Sequence, residues 1–328
     1  MKADLTPEFS ELRRKFRIFY DQELKVLFSS MEIKRKIYLW CFWILFILAL
    51  ISLPFFITFL MKNFILPNET PDTYDAYIVP VEIIEITAKF ISLLIFIILG
   101  PVFFYKRKIK KNVMEKMISF FGEFSYAYKK KIDCKILDKS NLFSEVSSSE
   151  GDDYFQGKYK SVGITLSEEK HTQDKDKNKI TTFRGIIILL DMDKAFQGKT
   201  IVKKDYGWLM NKFKRDKRYL GEEVELEDVV FEKYFDVFSD DQVEARFLLT
   251  TAFMERILKL KKLFKGKSIE FSFFDNKLLI KIPTKKDMFE PSSLFKPATD
   301  YNRIEQAFNQ FCAVFAIIDI LKLNRHTK

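Results

Sequence analysis

Two long apolar stretches, Ile37–Met61 and Ile86–Tyr105, dominate the pattern of hydrophobic and polar positions along the chain. A helix rises ~1.5 Å per residue, so about 20 apolar residues suffice to cross a hydrocarbon core ~30 Å thick. The first stretch contains no charged residue, and the second contains only Lys89, close to its start. The pattern therefore predicts two transmembrane helices, at residues 37–61 and 86–105.

Helical spacing of apolar residues continues on both sides of these stretches. Before the first stretch one apolar stripe is formed by Leu5, Phe9, Leu12, Phe16 and Phe19, and after the second by Val113, Met117, Phe120 and Phe124. We therefore predict an amphipathic helix over residues 1–36 and another helix over 106–139. These two helices either pack together as an antiparallel pair, or the first lies in the membrane plane with its basic face on anionic lipid.

Residues 140–152 are polar and serine-rich, and they are predicted to link the helices to a domain over residues 153–328. Asp153–Leu166 alternates in polarity and favours strands. Glu168–Lys179 is almost entirely polar and is typical of an exposed hairpin tip or loop. The β-branched segment Phe183–Met192 is too short to span a bilayer, and it predicts a buried strand.

The rest of this domain mixes strands and helices. Thr250 or Thr251 can cap a helix over Ala252–Phe264. The segments Ser268–Phe274 and Lys277–Ile282 flank a predicted hairpin turn, and Asp300–Leu323 predicts an amphipathic helix. Because strands and helices do not alternate regularly, we expect an α+β fold rather than a doubly wound sheet.

The net charge of +10 is distributed unevenly along the chain. Basic residues flank the predicted spans on one side: Lys34, Arg35, Lys36, Lys106, Arg107, Lys108, Lys110 and Lys111. The loop between the spans, residues 62–85, carries one basic residue against five acidic ones. By the positive-inside rule both termini are cytoplasmic and this loop is external. The first apolar stretch is too long for a cleaved signal peptide, so it predicts a retained anchor.

Few residues suited to catalysis occur in the sequence. The two histidines, His171 and His326, fall in the polar tip and the C-terminal tail, where neither has an evident partner. The three cysteines have no metal-ligand spacing, and no phosphate-binding or nucleophile motif is present. We therefore expect neither a cofactor nor a metal, and an enzyme would depend on carboxylates.

Two groups of carboxylates are candidates for such chemistry. Asp191 and Asp193 lie two residues apart after the buried strand, where they could share Mg²⁺ or acid–base work. The alternative is that the strand turns into solvent there. The second group lies after Ser239, and it consists of Asp240, Asp241, Glu244 and Arg246. A helical turn capped by Ser239 explains this group equally well.

A basic run with aromatic neighbours consists of Lys212, Lys214, Arg215, Lys217 and Arg218. It is interpreted first as solvated surface and next as a contact with anionic lipid, since a tethered domain lies near headgroups. Binding to nucleic acid ranks last because acidic residues are interspersed through the domain.

Several segments are similar to the DUF3137 family. They are Phe155–Tyr159, Thr182–Gly185, Val224–Glu227, Phe231–Phe235, Val237–Arg246 and Phe253–Arg256. The resemblance covers roughly residues 110–290, and Asp240–Arg246 is its most specific part. It implies a bacterial protein with two spans ahead of a C-terminal domain, and it implies no catalytic residue because the family has no established function.

These observations predict a multi-pass protein of the bacterial inner membrane with a two-span helical hairpin and a cytoplasmic α+β domain. We expect a non-enzymatic binding or scaffold module whose partners are the lipid bilayer, a cytosolic protein and a second copy of the chain. The alternative is an enzyme that depends on the carboxylates above and a divalent cation. Transport is a weaker hypothesis, because two spans line no pore without oligomerisation and neither has a midplane charge.

Overall fold

The computed structural model describes residues 6–62, 81–143, 146–175, 178–205, 221–264, 268–285, 287–290 and 293–323. The chain divides into two compact units. The sheet unit comprises Met1–Tyr20, Lys111–Pro291 and Asn302–Lys328, and the helix-pair unit comprises Asp21–Lys110 and Ser292–Tyr301.

Long helices carry both predicted spans. They are α1 (Thr6–Phe19), α2 (Lys25–Leu60) and α3 (Val81–Ile118), and a π-helical turn at Tyr20–Leu24 joins α1 to α2. In the most apolar 18-residue windows of the Ser10–Leu60 and Ile83–Phe121 segments, 11% and 6% of residues are buried. Both segments are long and apolar enough to cross a membrane. The predicted apolar helices are therefore confirmed.

In the helix-pair unit, α2 and α3 pack against each other in opposite chain directions. The ring centroids of Tyr38 and Tyr105 lie 5.9 Å apart, and those of Phe56 and Phe90 are stacked 3.8 Å apart. Because the partner number falls as the residue number on α2 rises, the helices are antiparallel. Exposed apolar side chains such as Trp40, Phe55 and Phe96 cover the outside of the pair.

The sheet unit is built on one antiparallel sheet in the order β1-β2-β3-β4-β9-β8-β5-β7-β6. Its strands are β1 (Phe124–Tyr128), β2 (Ser148–Tyr159), β3 (Val162–Lys175), β4 (Asn178–Asp191), β5 (Thr200–Lys204), β6 (Glu222–Glu223), β7 (Phe235–Ser239), β8 (Glu270–Phe274) and β9 (Lys277–Pro283). The predicted β8–β9 hairpin is confirmed, and Asp275 in its turn adopts a φ of 52°.

Helices of the sheet unit are α4 (Cys134–Ser140), α5 (Val229–Glu232), α6 (Gln242–Leu248), α7 (Thr251–Leu263) and α8 (Tyr301–Leu321). The side chain of Thr250 caps α7, as predicted, by accepting a hydrogen bond from the backbone N–H of Phe253. By length and composition α8 could also cross a membrane, but 61% of its most apolar window is buried. This helix therefore belongs to the core of the sheet unit.

Strand β4 lies at the centre of this core. Residues Ile186–Leu190 are all buried, four of the five completely or to within 1%. On one face Phe183, Ile187 and Leu189 join a cluster that includes Leu137 of α4. Burial of both faces explains why the segment is continuously apolar instead of alternating. The predicted buried strand and the α+β class are confirmed.

Helix α1 packs into an aromatic cluster of the sheet unit. Phe16 stacks on Phe308 of α8 with ring centroids 3.8 Å apart, and it meets Phe120 edge-on at 5.5 Å. Phe16 is 1% exposed. Of the two arrangements considered for the N-terminal helix, these contacts favour packing against the segment after the second apolar helix. Helix α8 also takes part in this packing, through the ring of Phe308.

Three sequence predictions about this unit are wrong. The helix over 106–139 ends at Ile118, because Gly122 takes a φ of 137° and the chain then enters β1, followed by α4. The polar segment 140–152 is not a linker throughout, since β2 begins at Ser148. The polar tip Glu168–Lys179 lies mostly in β3 and β4, which stay hydrogen-bonded as far as Lys175 and Asn178.

We predict that Phe16→Ala lowers the free energy of unfolding by about 3–5 kcal/mol, because truncating a buried aromatic side chain leaves a cavity. Thermal or denaturant unfolding of the full chain, followed by circular dichroism, measures the loss. The matched control is Ile18→Ala, since Ile18 lies on the same helix but is 51% exposed. Equal losses from the two substitutions would contradict the packing of Phe16.

Candidate functional site

The predicted pair Asp191 and Asp193 lies at the end of β4. Nζ of Lys277 lies 2.9 Å from a carboxylate oxygen of Asp191, and the two residues are register partners across β4 and β9. Asp191 and Asp193 are both exposed. This cross-strand ion pair favours the interpretation in which the strand turns into solvent.

The second predicted group holds a loop in place. Asp241, rather than Ser239, caps α6 by accepting a hydrogen bond from the N–H of Glu244 at 2.9 Å. The carboxylate of Glu244 is buried and accepts hydrogen bonds from the N–H groups of Gln197 and Gly198. Asp240 accepts one from the N–H of Lys199.

Glu244 and Asp240 therefore bind the backbone of residues 197–199, and Arg246 lies exposed in the last turn of α6. Ser239 has a different role from the predicted cap: its hydroxyl lies within hydrogen-bond distance of the carbonyls of Lys199 and Asp241, to either of which it can donate, and it accepts from the N–H of Asp241. The predicted basic run from Lys212 to Arg218 and His326 lie outside the described residues.

The other histidine contradicts the sequence interpretation. His171 is fully buried on β3, and its Nε2 lies 2.8 Å from a carboxylate oxygen of Glu169. The other oxygen of Glu169 accepts a hydrogen bond from the N–H of Ile132, also at 2.8 Å. The rings of Phe143 and Phe183 lie close to the imidazole, with centroids 4.9 and 5.3 Å away. His171 therefore has a buried partner.

Beside this pair lies a group of acidic residues that the sequence interpretation missed. Oxygens of Asp152, Asp153 and Glu168 lie within 4.8 Å of one another. Tyr126 donates a hydrogen bond to Asp153 at 2.8 Å, and the N–H of Met288 donates to Glu168 at 3.0 Å. Burial, reinforced by the Asp153 carboxylate, raises the pKa of Tyr126.

Three carboxylates at this spacing are ligands that Mg²⁺ or Ca²⁺ accepts. The available signal was the pair of acidic dipeptides, Asp152–Asp153 and Glu168–Glu169, which the β2–β3 hairpin brings together. The predicted strand ends at Leu166, whereas β3 pairs with β2 beyond this residue, so the sequence pattern does not bring the two dipeptides together.

A further candidate binding site is a cleft of about 580 Å³ among α1, the β2–β3 turn, α7 and α8. Its apolar lining residues are Leu12, Ala252, Cys312, Phe315, Ala316 and Ile320, and its charged ones are Lys160, Glu255, Arg256, Lys259, Asp319 and Lys322. The volume lies within the range of about 300–1,000 Å³ typical of small-molecule sites. The cleft thus combines an apolar lining with an excess of cations.

Polar contacts fix one side of this cleft. Nζ of Lys160 lies 2.7 Å from a carboxylate oxygen of Asp319, and the hydroxyl of Tyr159 donates to the other oxygen at 3.2 Å. Burial and the nearby Asp319 carboxylate raise the pKa of Tyr159 to about 12. The tyrosine therefore stays protonated at neutral pH and acts there as a hydrogen-bond donor. On α7, Arg256 donates to the carbonyl of Leu321 at 3.4 Å.

We predict that Glu169→Gln destabilises the protein by about 1–3 kcal/mol, because a buried amide offers one acceptor oxygen where the carboxylate offers one to His171 and another to Ile132. Denaturant unfolding of the full chain measures the change. Lys170→Gln on the same strand is the control, since its side chain is partly exposed. A loss no greater than that of the control would show that the buried pair contributes little.

Comparisons with known proteins give one family match and one structural match. A solved structure, the crystal structure of the mycobacterial trehalose monomycolate transport factor A, TtfA, matches with 10% sequence identity and a TM-score of 0.32. The match covers 64% of this chain and 95% of that one, and at this score it carries no argument. Curated proteins give no match. The model of DUF3137, described as a protein of unknown function, matches residues 181–323 of the chain, and this match supports the resemblance predicted from the sequence.

Proposed function

We propose that the protein is a non-enzymatic binding module held at the cytoplasmic face of a bacterial inner membrane by two helical spans. Its cleft binds a single-chain anionic amphiphile, a molecule with one acyl chain and a phosphate or carboxylate group. The cleft, with its apolar lining and cationic rim, is the observation that carries this proposal.

Support for the membrane anchor comes from the outer surface of α2 and α3. Side chains such as Trp40, Phe55, Leu93 and Phe96 are between 55% and 78% exposed along the apolar parts of these helices. Exposed apolar surface on this scale is stable in lipid and unfavourable in water. The basic residues at one end of each apolar stretch favour cytoplasmic termini.

Support for the ligand class comes from the lining of the cleft. Four cationic residues face two acidic ones, a balance of +2, and Lys160 is already paired with Asp319. The apolar lining suits an acyl chain, whose burial is worth ~0.8 kcal/mol per methylene group. Lys259 is exposed on α7 and Arg256 is half-buried beside it, so both positions suit an anionic group at the mouth.

A second candidate function is a carboxylate enzyme with a divalent cation. The observation that favours it is the group Asp152, Asp153 and Glu168, rather than the predicted sets around Asp191 and Asp240. Two of these three carboxylates accept hydrogen bonds that join β1 and the segment before α8 to the β2–β3 hairpin. Because this explains them structurally, the binding module is the favoured function.

The first prediction from this proposal concerns topology. A reporter fused after Lys328 is expected to be active in the cytoplasm, and a cysteine introduced at Thr70, in the loop between the spans, is expected to react with an impermeant reagent added outside. The chain without its native cysteines is the background, and Ser125→Cys is the internal control. Labelling of position 125 from outside intact cells would overturn the orientation.

The second prediction concerns the cleft. Full-length protein in amphipol is expected to bind radiolabelled oleoyl lysophosphatidate, and Lys259→Gln is expected to weaken binding about fivefold, the equivalent of ~1 kcal/mol for one basic residue. Ala316→Trp fills the apolar part and is expected to abolish binding in a protein that still folds. Lys262→Gln, an exposed position on the same helix outside the cleft, is the matched control.

The zwitterionic analogue oleoyl lysophosphatidylcholine separates charge recognition from apolar partitioning. We expect its binding to be weaker and insensitive to Lys259→Gln. Equal binding of the two lipids, or binding that survives Ala316→Trp, would contradict the assignment of the cleft. Binding that requires added Mg²⁺ would instead favour the second candidate function.

A further inference from the structure

The turn Ser293–Ala298 is hydrogen-bonded to α2 just before the first apolar stretch. Arg35, which is 8% exposed, donates a hydrogen bond from Nη1 to the carbonyl of Leu294 at 2.7 Å. The carboxylate of Glu32 accepts one from the N–H of Ala298, also at 2.7 Å. Glu32 and Arg35 are themselves joined by two hydrogen bonds of 2.7 and 2.9 Å. The turn is thus held at both of its ends.

Burial along the turn is divided sharply. Leu294 and Ala298, which make the backbone bonds to α2, are 2% and 0% exposed. The three residues between them, Phe295, Lys296 and Pro297, are exposed. Phe295 is 55% exposed, although it is the bulkiest apolar side chain of the turn. An exposed apolar ring at the tip of a turn that hydrogen bonds hold in place indicates a surface that contacts lipid or another protein.

The point at which Phe295 contacts α2 indicates which of these covers the ring. Its ring meets Phe42 edge-on with centroids 5.2 Å apart. Phe42 is five residues inside the apolar stretch that begins at Ile37, about 7.5 Å along the helix axis. Tyr38, Trp40 and Trp43 lie at the same end of α2, and such aromatic residues collect where hydrocarbon meets headgroups.

We propose that the turn Ser293–Ala298 is an interfacial lipid anchor, in which Phe295 enters the outer part of the acyl region and Lys296 contacts lipid phosphates. This proposal goes beyond the function of the cleft and rests on the proposed membrane anchor. It makes the segment just before α8 a third attachment to the bilayer, in addition to the two spans. Lys296 is exposed next to Phe295 and supplies the cation that an anionic headgroup attracts.

The experiment places a single tryptophan at the tip of the turn. Phe295→Trp is made in a full-length chain whose own residues Trp40, Trp43 and Trp208 are replaced by Phe, and the protein is reconstituted in vesicles of phosphatidylcholine and phosphatidylglycerol. Lipids brominated at defined acyl carbons quench fluorescence by contact. We expect at least twofold quenching, strongest for bromine near the headgroup and weak for bromine near the chain end.

Phe55→Trp in the same background is the matched control, because it exchanges the same residue types at an exposed position within the first span. Quenching at position 55 without quenching at position 295 would overturn the lipid anchor while leaving the spans intact. The absence of quenching at both positions would overturn the membrane anchor and this inference together. Blue-shifted but unquenched emission from the Phe295→Trp variant would mean that protein covers the turn, and it would also overturn the inference.

A second measurement is independent of the tryptophan. Lys296→Cys, in a chain without its native cysteines, is labelled with an environment-sensitive nitrobenzoxadiazole dye. We expect the label to be protected from aqueous dithionite at least threefold more when the protein is in vesicles than when it is in amphipol. Equal reduction rates in the two media would contradict contact of the turn with lipid.

Discussion

Burial of a single apolar strand on both faces is the constraint on which the sheet unit depends. The segment Ile186–Leu190 has no polar side chain with which to face water, so each face requires a separate cover. Segment 132–143 with α4 covers one face, and the aromatic side chains of α8 and its neighbours cover the core elsewhere. The covering segments come from positions before and after the strand in the chain. The core can therefore form only when distant parts of the sequence meet.

Buried polar groups in this unit obey the same requirement for partners. Glu169 binds His171 and the backbone of Ile132, Glu168 binds the backbone of Met288, and Glu244 binds that of Gly198. Burying a carboxylate without such bonds would cost several kcal/mol of folding free energy. Each of these carboxylates therefore stabilises the contact between the segments that it joins. Of these three carboxylates, Glu244 belongs to a group that the sequence offers as a candidate for catalysis, and here it holds a loop in place. The cleft differs, because its cations outnumber its acids.

The helix-pair unit differs from the sheet unit in where its apolar side chains lie. Its apolar side chains point outward, and the contacts between its helices include aromatic pairs such as the stacked rings of Phe56 and Phe90. The ion pair of half-buried Glu32 and buried Arg35 is connected to the backbone of the turn at Leu294 and Ala298, so its desolvation is offset by four hydrogen bonds. The hydrogen bond from Arg35 holds the pKa of Glu32 below its usual range, so the carboxylate form is favoured in this position.

Local pattern alone determined much of this protein. The two apolar helices, the buried strand β4, the β8–β9 hairpin, helices α7 and α8 and the resemblance to DUF3137 follow from periodicity, capping residues and short motifs, because each depends on neighbours in sequence. Tertiary structure decided the rest. The sequence pattern places His171 in a polar tip. Its contacts with Glu169, Phe143 and Phe183 form only after β3 pairs with its neighbours. Only in the folded chain does Arg35 contact Leu294, and only there do Leu12 and Phe315 line the same cleft. Periodicity within a strand or helix does not encode such distant contacts.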